Sequence, residues 1–289
     1  MTEIKLNKII TIAKTEYIKW ITNPRMIIMV IMIPFLYDFI IKPLLSHADE
    51  MNSPLNILEP FIATGNSNLL MIMMPIIYLV VISDFPRTDG NTLFFITRVG
   101  KFNWLFGQMV FGFFTVFTFL LYLLLITIIP VILKGFLDNG WSLVTTNYAV
   151  QFPENSKDFA STLIIKNLYN QVTPFTAVRH IVLLTAGYFY VIILVKLLFY
   201  NIKIKILGTI VSGCLVAFGG ALCLVKSRFM WILPMAHTNV SYHYTEYFRE
   251  TIVSLGKSYL YFFVLIILGI IICCMTIKKL SIETVQELD

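Results

Sequence analysis

The chain has 289 residues, of which 58% are hydrophobic and 13% charged, with a formal net charge of +6 and a mean hydropathy of +0.81. Soluble globular chains carry about 25% charged residues, so this composition excludes a water-soluble domain. The basic excess is not gathered into a dense stripe but stands beside apolar runs, where positive-inside charges stand, and that argues against a nucleic-acid partner.

The first element is amphipathic. Leu6, Ile9, Ile10, Ala13, Tyr17, Trp20 and Ile21 recur at helical spacing, with Lys5, Lys8, Lys14, Thr15, Glu16 and Lys19 on the other face. Such a helix suits the membrane interface; a cytoplasmic helix packed on a partner is the alternative. The segment is charged throughout, unlike the basic tip and apolar core of a cleavable leader. Asn23-Pro24 ends it and turns the chain.

Six stretches then approach the roughly 20 apolar residues that cross a bilayer: residues 26–45, 66–83, 104–133, 177–200, 206–225 and 259–277. The second has the shortest apolar core and contains Pro75. With the N-terminus inside, the short inner segments hold Lys5, Lys8, Lys14, Lys19, Arg25, Arg87, Arg98, Lys101, Lys203, Lys205, Lys278 and Lys279, and the remaining cations spread over longer outer loops. The charge bias therefore places both termini in the cytoplasm. Asp38 and Lys42, four apart at the outer end of the first span, are expected to pair. Lys196 is expected to snorkel from the fourth span toward Lys203 and Lys205.

Between the second and third spans lies an inner loop, residues 84–103. Asn91 or Thr92 can cap a short helix carrying Leu93, Phe94, Phe95 and Ile96, and Gly100 can end it. It reads either as a docking handle at the cytoplasmic face or as a re-entry turn. Residues 134–176 read as a small, partly helical outer cap. Residues 226–257 read as a re-entrant or interfacial hairpin, since irregular backbone there needs burial in protein or contact with water. Gly213, Ala217 and Ala221 recur every fourth residue in the fifth span, a small-residue stripe that admits another helix, within the chain or across a dimer.

Chemical motifs are scarce. There is no G-x-x-x-x-G-K-[ST] loop, H-E-x-x-H, G-x-S-x-G or C-x-x-C, so energy for work comes from an ion gradient or another subunit. Cys214, Cys223, Cys273 and Cys274 read as small apolar packers. His237, His243, Glu246 and Glu250 form the one cluster with acid–base or metal potential, at spacings that match no ligand frame. No catalytic or metal site is expected.

An amphipathic helix before the first of six spans, the stretch Asp89-Gly90-Asn91-Thr92-Leu93-Phe94-Phe95-Ile96-Thr97-Arg98 followed by Lys101, Trp104 and Gly107, a last outer loop with Leu233-Pro234, and a basic tail at Lys278-Lys279 together resemble the permease subunit of ABC transporters of the type-2 export class. Among them the chain looks most like small bacterial permeases for peptides, including bacteriocin-immunity exporters and the staphylococcal exporter of phenol-soluble modulins. Its outer segment after the third span is longer than the usual tight turn.

The resemblance implies an all-α membrane protein of one transmembrane domain, 1–289. Residues 1–24 would form an interfacial elbow helix, the inner loop a cytoplasmic coupling helix, and the last outer loop an extracellular re-entrant hairpin. ATPase coupling would fall to Asp84, Arg87, Asp89, Gly90, Thr92, Leu93, Phe94, Phe95 and Arg98. The implied partners are two copies of a cytoplasmic ABC ATPase, which hold ATP and Mg, and a second permease copy or homologue; this chain would hold no cofactor. The implied location is the bacterial cell membrane. The rivals are an ion-gradient-driven carrier or channel, for which Asp38 is the main charge on offer, and an intramembrane enzyme using His237, His243 and Glu246.

Overall fold

The structure, a computed structural model, describes residues 4–87, 96–155, 158–245 and 250–280. Among these the chain is helical, with two isolated β-bridges and no strand. Five helical stretches are long and apolar enough to cross a membrane: Pro24–Glu50, Lys101–Ile128, Pro174–Asn201, Lys205–Leu224 and Leu255–Thr276. A sixth arises if α4 (Glu59–Asn66) and α5 (Asn68–Val81), bent by 83° to one another, count as one span. Five of these stretches overlap those expected from hydropathy, with ends that differ by up to five residues, while the bent pair starts seven residues before the expected 66–83.

The chain begins with α1 (Leu6–Ile21). The first long stretch joins α2 (Ile27–Leu36) to α3 (Lys42–Glu50) through a π-turn at Tyr37–Ile41. That wider turn moves residues four apart off a common face. Asp38 and Lys42 accordingly stand exposed and form no ion pair, contrary to expectation. After α3, Asn56 bridges to Phe136, and its side chain donates to the carbonyls of Asp138 and Gly140 at 2.7 and 2.8 Å. Ser67, in extended backbone, then makes the sharp bend into α5.

The centre is α9 (Pro174–Asn201), which packs on α4, on α6 (Lys101–Ile128), on α10 (Lys205–Leu224) and on α12 (Leu255–Thr276). The most apolar window of α9 is 61% buried, against 11% for that of α12, so α9 is core and α12 periphery. Tyr78 of α5 shows how the core is tied. It hydrogen-bonds Thr115 of α6 at 2.9 Å and stacks on Phe189 of α9 with centroids 4.5 Å apart. Elsewhere large apolar side chains are exposed, among them Ile27, Val30, Phe113, Leu183, Phe218 and Phe263. Apolar faces on helices of this length fit a lipid surround, and the chain is compatible with a multi-pass membrane protein.

The segment expected to be a cap holds α7 (Leu143–Gln151) and α8 (Lys166–Tyr169). The last long connection holds α11 (Pro234–Thr238) between 3-10 turns at Arg228–Ile232 and Val240–His243. Here Met235, Ala236, His237, Asn239 and His243 are all buried. The two ends of the described chain meet at the start of α6. Lys5 N donates to Asn103 Oδ1 at 2.9 Å, and Lys101 Nζ reaches Lys278 O at 3.4 Å. We call this side of the molecule the terminal face.

Candidate functional site

Several of the polar groups that join separate helices meet where α5 ends, near the terminal face. The last carbonyls of a helix lack partners within it and carry the negative end of its dipole. At α5 those carbonyls are met by donors from two other elements. Trp20 of α1 donates through Nε1 to Val81 O at 3.1 Å. Lys196 of α9 donates through Nζ to Ile82 O at 2.8 Å and to Ser83 O at 3.2 Å. Lys196 is 1% exposed, so it does not snorkel as expected. The reason is that the C-terminal end of α5 packs against the last turns of α9, so that the carbonyls of Ile82 and Ser83 lie within reach of the ammonium.

One residue further on, Asp84 pairs with Arg25, at the turn into the first long stretch. Arg25 also donates to Ser83 Oγ at 2.8 Å, and Asn23 Nδ2 reaches Asp84 Oδ2 at 3.4 Å. Burial alone would raise the Asp84 carboxyl, but the hydrogen bond and charge of Arg25, with Arg87 and Lys205 beyond, hold it below its ordinary value. Glu16, expected on the water-facing side of α1, is instead 5% exposed and shares a crevice with Asp84, Phe85 and Arg87.

The buried stripe of α1 is accordingly Ile9, Ile12, Ala13, Glu16 and Trp20, laid along α6. Gly107 of α6 permits the approach, since a Cβ there would come within 2.7 Å of Ile12, and Tyr17 Oη meets Thr118 Oγ1 at 2.8 Å. Leu6, Ile10 and Ile21 point away from the protein.

Of the expected coupling residues, Asp84 and Arg87 thus lie at one junction of α1, α5 and α9. Arg98 is exposed, in a helical turn of residues 96–99. That turn closes at Gly100, whose N–H donates to Ile96 O and whose φ of 93° suits glycine alone. Asp89, Gly90, Thr92, Leu93, Phe94 and Phe95 lie outside the described residues.

The stripe Gly213, Ala217 and Ala221 faces outward, with nothing within 4 Å of a Cβ built at Gly213. Close approach inside the chain uses other glycines of α10. A Cβ at Gly220 would meet Ile72 at 2.8 Å, and one at Gly219 would meet Met235 at 3.0 Å.

The histidines are engaged structurally. His237 Nε2 lies 2.9 Å from Trp231 O and must donate to it, which leaves Nδ1 to accept from Ser258 Oγ at 2.7 Å. His243 Nδ1 donates to Val253 O at 2.7 Å. Glu246 lies outside the described residues.

Two groups escaped sequence reading. One is Lys196 as a cap on α5. The other is Glu59, fully buried on the side of the molecule opposite the terminal face. It accepts from Ser142 N at 2.7 Å and Ser142 Oγ at 2.8 Å, tying α4 to the start of α7. Comparison with protein-family models, with curated proteins and with solved structures gave no match.

Proposed function

We propose that this chain is the permease subunit of an ATP-driven, ABC-type exporter of the type-2 class, moving an amphipathic or hydrophobic cargo, a peptide, out of a bacterial cell. In this reading the terminal face is cytoplasmic and α1 is the elbow helix. Residues 89–98 form the coupling helix, which receives one of two separate ATPase subunits, and the segment around α11 is the outer re-entrant hairpin. ATP and Mg sit on the ATPases, a second permease copy or homologue completes the transporter, and this chain hydrolyses nothing.

The observation that carries the reading is the junction at Ile82–Asp84. The loop expected to dock the ATPase is rooted in side chains from three other places: Trp20 in α1, Arg25 at the entry to the first span, and Lys196 in the central helix α9. A displacement of that loop must therefore pull on all three. Alternating exposure needs only two packings of differing stability, which nucleotide binding on the partner would bias.

The Arg25–Asp84 pair gives the test. Its side chains are 44% and 40% exposed, so breaking it costs about 0–1 kcal/mol of stability after solvent screening. Arg25→Asp and Asp84→Arg are each expected to fold normally yet to lose most ATP-driven export in proteoliposomes, and the double swap to recover it. Single reversals that leave export intact would sink the proposed coupling route. An ion-coupled carrier has one observation in its favour, the buried cation Lys196. Its signature would be transport that survives ATP depletion and collapses with the proton gradient.

A further inference from the structure

A broad apolar groove opens sideways between α6, α9 and α12, with a volume of about 980 Å³ and walls that are almost wholly hydrocarbon. Its floor is one face of α9. Val182, Leu183, Ala186 and Tyr190 line it, and they follow Arg179 by three, four, seven and eleven residues, so Arg179 stands on the same face. Phe113 and Phe263, on the two walls, are 58% and 61% exposed.

The two ends of the floor differ. At one, Tyr190 Oη donates to Met109 O at 3.3 Å and closes α9 against α6. At the other, His180 hydrogen-bonds Tyr259, and the exposed Arg179 acts electrostatically on both. No carboxylate pairs with Arg179 among the described residues. Charge thus sits at one end of an otherwise hydrocarbon trough, the pattern of an amphiphile with an anionic head.

Depth narrows the choice. At 1.5 Å per residue the floor from Val182 to Tyr190 runs ~12 Å, and the α12 wall from Tyr259 to Ile270 runs ~17 Å. The α6 wall is longer, ~27 Å from Phe106 to Leu124, but the floor and the α12 wall are each about half of the ~30 Å hydrocarbon core, the depth of chains from one leaflet. A transmembrane helix of a second copy would need the full thickness, and Tyr190 stops the floor halfway.

We infer that this groove seats an anionic phospholipid from the leaflet opposite the terminal face, with its chains on α9 and its phosphate on Arg179. The inference rests on the chain's lying in a membrane and not on the ATPase coupling proposed above. The test is native mass spectrometry, with thermal unfolding in detergent, of the full chain given phosphatidylglycerol or phosphatidylcholine of identical chains. Phosphatidylglycerol is expected to bind about fivefold tighter, the worth of one basic residue at an anionic surface, and to raise the unfolding temperature more.

Arg179→Gln should abolish that preference without lowering the lipid-free unfolding temperature. Ala186→Phe, which fills the floor, should weaken both lipids. Glycerol phosphate without chains should do nothing. Equal binding of the two lipids by the wild type, a preference that survives Arg179→Gln, or stabilisation by glycerol phosphate alone would each overturn the inference. So would an Ala186→Phe variant that turns a dimer into monomers and leaves lipid binding unchanged.

Discussion

Lys196 shows how a single buried side chain can hold two helices in register. Its ammonium group meets the two carbonyls that follow α5, Ile82 O and Ser83 O; Ile82 O keeps the Phe85 N–H as a second partner, so losing the lysine costs about 1 kcal/mol. Lys196→Met should therefore lower the unfolding temperature in detergent, and an unchanged or raised temperature would contradict the capping role. The sequence does show a lysine in an apolar run, but not that the carbonyls after α5 lie beside it, 114 and 113 positions away. Glu59 was illegible for a similar reason. Beside Pro60 it reads as an ordinary first-turn acid, and its partner Ser142 lies 83 residues away.

The two hairpin imidazoles make a pH prediction. Burial first, and their mutual charge at His237, hold His237 and His243 below their ordinary 6.5. In the pH range below 6.5 the unfolded chain then binds protons that the folded chain refuses, so stability falls as pH drops through that window. Unfolding temperatures should fall from pH 7.5 to pH 5.5, and fall less in the His237→Gln, His243→Gln double variant. An identical slope in wild type and double variant would remove these histidines from the account of acid sensitivity.

At the scale of elements, hydropathy located the long helices well, because length and apolarity are what a bilayer demands. It was weaker on which face of a helix meets which neighbour. Helix α10 carries small residues on two faces, and spacing alone brings out Gly213, Ala217 and Ala221, which point outward. The inner contacts fall on the buried stripe Gly208, Ser212, Val216 and Gly220, where Val216 interrupts the run of small residues. Gly220→Leu should cost about 1–3 kcal/mol through overpacking against Ile72, while Gly213→Leu should stay within ~1 kcal/mol of wild type, with helix propensity in its favour. Thermal unfolding separates them, and a Gly213→Leu variant as unstable as Gly220→Leu would place that stripe in a contact outside this chain's own fold. The turn Tyr37–Ile41 is another case: a π-turn has no spelling in hydropathy, yet it undid the expected Asp38–Lys42 pair.

At the scale of the whole molecule, six apolar runs with a basic bias on one side were readable before any coordinate. The structure adds that the ends of the described chain meet beside α6 and that the root of the loop after α5 is bound to α1, to the first span and to α9. Those bonds join residues 58 to 177 positions apart, which no local pattern encodes. In the permease reading proposed above, the terminal face is the place where force from a partner would enter. Affinity purification of the full-length chain from the cells that produce it tests this most directly. A P-loop ATPase is expected to co-purify in about equal amount, and Arg98→Glu, at an exposed position, is expected to release it without unfolding the chain. A chain that is isolated alone, in mild detergent and with nucleotide present, and whose export activity ignores Arg98→Glu, would contradict the permease reading.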